Sequence, residues 1–132
     1  MYGLIMINLL DLIARIFISS VFLFSAASKI ITYEATLDWV EQTMPGFLLI
    51  PAIIIEIIFP IFIIFGYRTR LAAGILALFC LTTAFIFHFD LSNHTQVIAF
   101  LKNLGLAGGL IFLIIHGPKE FIFIKKKKYV RL

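Results

Sequence analysis

The chain has 132 residues, 62% of them hydrophobic and 14% charged, where an ordinary soluble domain is about 45–50% apolar and about 25% charged. Its mean hydropathy is +1.10, and a single core of this length has too little interior to hide that much apolar surface. One cysteine, four prolines and no glycine period exclude a disulfide scaffold, collagen and disorder, which leaves a one-domain integral membrane protein of net charge +4.

A bilayer core of about 30 Å takes roughly 20 apolar residues per helix. Four stretches qualify, at 9–28, 48–66, 70–89 and 97–116, so the expected fold is all-α, a four-transmembrane-helix bundle. The first stretch has no basic region ahead of it and carries Arg15 inside it. It therefore reads as a retained span, although Ser25-Ala26-Ala27-Ser28 looks like a small-residue cleavage site. After it, Tyr33, Leu37, Val40 and Met44 recur at helical spacing, with Glu34, Asp38 and Glu41 on another face. That pattern predicts a short amphipathic helix in the first external loop, with Trp39 at headgroup depth. The helix either lids the bundle or merely joins two spans. Met44-Pro45-Gly46 breaks the chain before the second span, and Gly66-Tyr67-Arg68-Thr69-Arg70 makes a tight charged turn after it. Asp90 to Gln96 is a short polar loop, where Asn93-His94-Thr95 matches a glycosylation sequon too close to the membrane to count. His116-Gly117-Pro118 closes the last span with a proline, where a helix cannot continue. The expected division is a bundle at 1–118 and a basic tail at 119–132.

Four spans place both termini on one side. Arg68, Arg70, Lys119, Lys125 to Lys128 and Arg131 fall on that side, and Glu34, Asp38, Glu41 and Asp90 on the other. The positive-inside rule makes both termini cytoplasmic. The Lys125–Lys128 run reads as topology charge or as a contact with anionic lipid. Nucleic acid is not an expected partner, since no folded basic face is present.

Ionisable residues inside spans are costly and usually face the protein interior. At 100° per residue, Asp11, Arg15, Ser19, Phe22, Ala26 and Lys29 lie within roughly 40° of one line on the first helix. Ala52, Glu56 and Pro60 align on the second, Gly74, Ala77, Ala84 and His88 on the third, and Lys102, Gly105 and Gly109 on the fourth. Small residues mark close helix contacts, and Gly105-x-x-x-Gly109 has the familiar spacing. The small faces should point inward and carry the ionisable groups with them. By rise, Lys102 lies about 8 Å and Glu56 about 12 Å below the outer surface, with His88 and Lys29 close to it. Glu56, Lys102, His88, Lys29 and Asn103 thus form an outer-half cluster in which Glu56 should pair with Lys102 or Arg15. Plainer readings stand beside these: Arg15 paired with Asp11 at i, i+4, Lys29 snorkelling, His88 at headgroup level, and Glu56–Lys102 as a purely structural bridge.

Cys80 is alone and mid-span, which excludes dithiol relay chemistry. His88 and His94 sit at one end and His116 at the other, so a bis-histidine haem is not expected. No metal-ligand spacing and no phosphate-binding glycine loop occur. A diffusing lipid-soluble carrier fits what remains. A quinone's carbonyls need donors such as Lys or His, and its reduction needs an acid/base such as Glu or His. Lipids and small hydrophobic solutes of similar shape fit the same residues.

Arg15-x-x-x-Ser19-x-x-Phe22-x-x-x-Ala26-x-x-Lys29 resembles the first-span Arg, Gly, Phe, Gly, Lys pattern of the DoxX family, with Ser19 and Ala26 where the family has glycine. Glu56, then Gly66 and Thr69-Arg70-Leu71, then Phe87-His88 and Phe100-Leu101-Lys102-Asn103-Leu104 extend the likeness over roughly 11–118. The resemblance implies a bacterial or archaeal cytoplasmic-membrane protein tied to quinone-linked oxidoreductases, such as thiosulfate:quinone oxidoreductase and terminal quinol oxidase. It also implies links to membrane complexes that handle thiol and oxidative stress.

The expected function is a membrane subunit of a quinone-linked oxidoreductase working with a redox partner protein. Glu56 would exchange the proton, Lys102 and His88 would donate to a carbonyl, Arg15 would hold Glu56 ionised, and Arg15, Lys29 and Asn103 would line the ligand site. Two alternatives stay open: a non-catalytic assembly subunit, and a solute or lipid carrier with a cavity open to both faces. Self-association is open as well.

Overall fold

The computed structural model describes residues 2–119. The Lys125–Lys128 run and the predicted tail beyond Lys119 lie outside the described residues. The chain forms α1 (Tyr2–Ile31), α2 (Tyr33–Glu41), a 3₁₀ turn (Gly46–Leu48), α3 (Leu49–Phe65), α4 (Thr69–Phe87) and α5 (His94–His116). No strand occurs among the described residues. Four of these segments are long and apolar enough to cross a membrane: Tyr2–Ile31, Gly46–Phe65, Thr69–Phe87 and His94–His116. The protein is therefore an all-α membrane bundle of the expected kind, with the expected short helix in its first loop. The first helix is longer than its predicted span: its 30 residues measure about 45 Å.

Each boundary has a local cause. Pro45 is extended, with φ −58° and ψ 130°, and starts the 3₁₀ turn. Pro51 sits in the first turn of α3, where no intrahelical N–H is needed. At its other end α3 stops on Gly66 in the left-handed region, φ 73°. There the Tyr67 N–H returns to the Phe62 carbonyl at 2.9 Å, closing the helix as a C-terminal glycine does. Asn93 caps α5, its side chain accepting from the backbone N–H groups of Thr95 and Gln96.

α1 packs on α3, α3 on α4 and α4 on α5, while α1 and α5 meet lightly. One end of the bundle carries the start of α1, the α3–α4 turn and the end of α5. The other carries α2 and the α4–α5 loop. Toward the terminal end the core is Phe22, Ile63, Ala72, Ala73, Leu76, Ala77, Cys80, Ala107 and Leu110. A second cluster of Ala26, Val40, Leu49 and Ile53 pins α2 to α1 and α3.

The α1 face predicted to point inward does so: Arg15, Ser19, Phe22 and Ala26 are all buried. Glu56 and Pro60 are buried on α3, and Ala77 and Ala84 on α4. The α5 face is a correction. Lys102 and Gly105 are exposed, and nothing lies within 4 Å of a Cβ placed on Gly105. The alanines of α4 supply the flat contact surface instead, and α5 turns Ala107 and Leu110 toward them. Gly109 approaches α1, where Ile18 Cδ1 would lie 3.2 Å from an added Cβ.

Candidate functional site

In an α-helix every Cα–Cβ bond tilts toward the helix N-terminus. Lys29, in the last turn of α1, therefore leans down into the bundle. Glu56, in the second turn of α3, leans up toward the α2 end, and the two converge. Lys29 Nζ donates to Glu56 Oε1 at 2.8 Å and to Oε2 at 2.6 Å. Ser25, one turn before Lys29, accepts from Nζ at 2.8 Å and donates to Glu56 Oε1 at 3.2 Å. The Glu56 side chain is 4% exposed and that of Lys29 is 25% exposed. One backbone feature sharpens the spot. Pro60 lacks the N–H that would bind the Glu56 carbonyl, and so releases that carbonyl from the helical ladder.

The same tilt moves Arg15 away from Glu56. Its guanidinium leans toward the terminal end, where Nη1 donates to the Ile63 and Ile64 carbonyls at 3.0 and 2.9 Å. Nε donates to Asp11 Oδ2 at 2.9 Å. Arg15 is 1% exposed, and it serves carbonyls in the last turn of α3, of which that of Ile63 also accepts the Gly66 N–H at 3.2 Å. The Asp11 pairing is borne out, and the proposed Arg15–Glu56 contact is corrected. Asp11 Oδ2 also accepts the Lys119 backbone N–H at 3.0 Å, so the group ties α1, α3 and the chain after α5 together. A cavity of about 270 Å³ lies beside it, lined by Asp11, Arg15, Gly109 and His116 among others.

Glu56 and Lys29 line a larger cavity of about 450 Å³ at the α2 end. Ser25, His88 and Asn103 join them on its wall, with Cys80 and Thr83, and Phe22, Phe79 and Phe87 make it aromatic. His88 ends α4, and its Nδ1 meets Gln96 Oε1 at 2.8 Å, which leaves Nε2 for another partner. Asn103 Nδ2 donates to the Ala99 carbonyl at 3.1 Å. Thr36, Trp39 and Val40 of α2 also line the cavity, and the Trp39 ring stacks on Phe87 at 4.6 Å. The short helix is a lid as well as a linker.

Of the predicted residues, the structure thus gathers Glu56, His88, Lys29 and Asn103. It leaves out two. Arg15 belongs to the terminal end, and Lys102 is exposed and absent from the cavity wall. Lys102 leans toward the start of α5 by the tilt that brings Lys29 inward. Glu56 pairs with Lys29 rather than with Lys102 or Arg15. Ser25 was not predicted as a site residue; its position four residues before Lys29 was the available signal.

Comparison with known proteins shows the family. The DoxX family model matches residues 10–89, a stretch that holds Arg15, Ser25, Lys29, Glu56 and His88. Inner membrane protein YqjF of Escherichia coli K12 is 37% identical over 111 residues, covering 83% of this chain and 85% of its own length. Inner membrane protein YphA of the same organism is 30% identical over 115 residues, covering 81% of this chain and 82% of its own. No solved structure matches.

Proposed function

The chain belongs to the DoxX family, and from that footing we propose that it is the membrane subunit of a quinone-linked oxidoreductase, with the α2-end cavity as its quinone site. The observation that carries this reading is the cavity itself: an aromatic-walled space of about 450 Å³ with a buried carboxylate, an ammonium and a hydroxyl on one side. Cavities of about 300–1,000 Å³ with few polar groups are the usual form of small-molecule sites.

The donor set fits a quinone head group. Lys29 Nζ and Ser25 Oγ, both already bonded to Glu56, are donors at the cavity wall that a head group would share. Glu56 is a proton acceptor beside them, and His88 Nε2 accepts when Nδ1–H donates to Gln96 Oε1. A bound quinone would supply two-electron, two-proton acceptor chemistry. Lys29 and Ser25 hold the Glu56 carboxylate at a fixed place, and the exchange of a proton at Oε1 or Oε2 is its role. Phe22, Phe79 and Phe87 keep bulk water from that carboxylate, and α2 covers the aqueous end. Electrons come from a partner protein, since the only cysteine, Cys80, offers no dithiol.

The setting is the cytoplasmic (inner) membrane, in line with the names of both relatives. Arg68, Arg70 and Lys119 gather at the terminal end, which supports cytoplasmic termini.

The test is solvent extraction of protein purified from membranes, with quinone counted by mass spectrometry. Near-stoichiometric quinone is expected for the wild type, and a clear loss for Glu56→Gln at equal folded yield. Equal quinone in both would remove Glu56 from the site. The assembly-subunit alternative draws support from one observation, that Lys29–Glu56 bridges α1 and α3. A purely structural pair tolerates the reversal Lys29→Glu with Glu56→Lys, whereas a working one does not.

A further inference from the structure

The α2-end cavity is covered from the aqueous side by α2, yet it is not closed all round. α3 and α4 are held together at the terminal end by the turn through Gly66 and Arg68, where Ile63, Ala72 and Leu76 pack in one core. Toward the α2 end they enclose the cavity between them. Pro51 and Ile55 of α3 and Thr82 and Ile86 of α4 all line it, which marks the α3–α4 gap. Pro51 and Thr82 are exposed, and Ile86 is 40% exposed. Cavity wall and outer surface are the same residues there. By the helical rise, Thr82 lies about 7 Å below the end of α4, within hydrocarbon depth.

The charge on the wall adds a second constraint. Lys29 and Glu56 neutralise one another at 2.6 Å, so an anionic head group would meet the Glu56 carboxylate with no spare lysine to offset it. An uncharged head with hydrogen-bond acceptors meets donors without that repulsion.

We propose that the cavity takes its ligand sideways from the bilayer, through the α3–α4 gap, and that the ligand is an uncharged, tailed amphiphile. Its head reaches Lys29, Ser25 and Glu56, while its tail lies in lipid across Pro51, Thr82 and Ile86. The inference rests on reading the cavity as a ligand site, but not on the ligand being a quinone.

Cys80 lines the cavity and is the only cysteine of the chain, so its alkylation reports arrival there. The full chain in phospholipid vesicles is treated with a neutral long-chain N-alkylmaleimide dissolved in the bilayer, or with a sulfonated maleimide in the water. Modification is counted by intact mass. The alkyl reagent is expected to modify Cys80 about tenfold faster than the sulfonated one, and Thr82→Trp to slow it by about tenfold, a barrier change of roughly one decade in rate. Ile86→Trp serves as the second plug should Thr82→Trp not fold. Gly105→Trp, which has open space at its Cβ and stands on the α1–α5 side, should leave the rate unchanged. Three results overturn the proposal: unchanged rates in both plug variants, a block by Gly105→Trp instead, or equal or absent labelling by the alkyl reagent. Because no quinone is used, failure of this route and failure of the quinone reading are separable. Extracted quinone together with labelling that neither plug slows would leave the site standing without the route, and gated labelling without quinone would leave the route standing without the redox role.

Discussion

Lys29 and Glu56 show how far one ion pair inside a membrane span constrains a bundle. Removing Lys29 leaves a carboxylate 4% exposed without its cation, a loss of about 3–5 kcal/mol for a buried pair broken on one side. Lys29→Met should therefore lower the thermal unfolding midpoint in detergent, followed by helical circular dichroism, and adding Glu56→Gln should recover most of the loss. Ser19 points the other way. Its hydroxyl is fully buried and has no hydrogen-bond partner among the described residues. Ser19→Ala should stabilise by about 1 kcal/mol, since an unpaired buried hydroxyl costs roughly that much; a lower midpoint would show that the hydroxyl has a partner after all. These residues were partly legible in the sequence. Period and depth brought Glu56, His88, Lys29 and Asn103 together correctly. They could not choose among the cations, because helical phase ignores the lean of side chains toward the helix N-terminus. That lean sends Lys29 into the cavity and Arg15 to the opposite end, while Lys102 lies on the exposed face of α5.

Among elements, α3 depends on a residue of another helix. Arg15 donates to the Ile63 and Ile64 carbonyls at its C-terminus and is paired with Asp11, so it closes α3 and binds it to α1. Arg15→Gln should destabilise the bundle by about 3–5 kcal/mol by stranding Asp11 and those carbonyls. Arg15→Lys should recover only part, as an ammonium cannot reproduce the guanidinium fork. Unfolding midpoints of the two variants check the order. The α4–α5 loop carries a pH effect. Ser92 donates from its hydroxyl and its N–H to Asp90 Oδ1, which holds the Asp90 carboxyl below its ordinary value. A carboxylate depressed on folding adds its stability above its ordinary pKa and loses it as pH falls through the lowered one. Protection of the Ser92 amide against exchange, measured relative to its intrinsic rate, should hold at neutral pH and fall only in acid. Ser92→Ala, which removes the hydroxyl and keeps the N–H, should raise the Asp90 titration toward the ordinary carboxylate range. The elements themselves were largely legible, since apolar runs, Pro45, Gly66 and the Asn93 cap mark their ends. The α5 orientation was not, because the glycines that suggested a close contact compete with a smoother alanine face on α4.

At the scale of the whole molecule, four spans in up-down order put two polar groups at opposite ends of one bundle. The group at the terminal end, built on Arg15, ties helices together and borders the smaller cavity of about 270 Å³. The α2-end group borders the larger cavity, of about 450 Å³, and sets the Lys29–Glu56 pair on its wall. Hydropathy and the positive-charge pattern foretold the bundle, and the cavity was foreshadowed only as a cluster. Its lid was legible as an amphipathic segment, but whether Trp39 covers the bundle depends on packing against Phe87, a contact far away in sequence. Trp39 is the only tryptophan in the chain and lines the cavity, so its fluorescence reads occupancy of the proposed site. Titration of the protein in lipid nanodiscs with decylubiquinone should quench Trp39 saturably, and Glu56→Gln should weaken the apparent affinity by about tenfold, the worth of roughly 1.4 kcal/mol. Quenching that rises linearly without saturation, and equally in wild type and variant, would contradict a quinone site at Glu56.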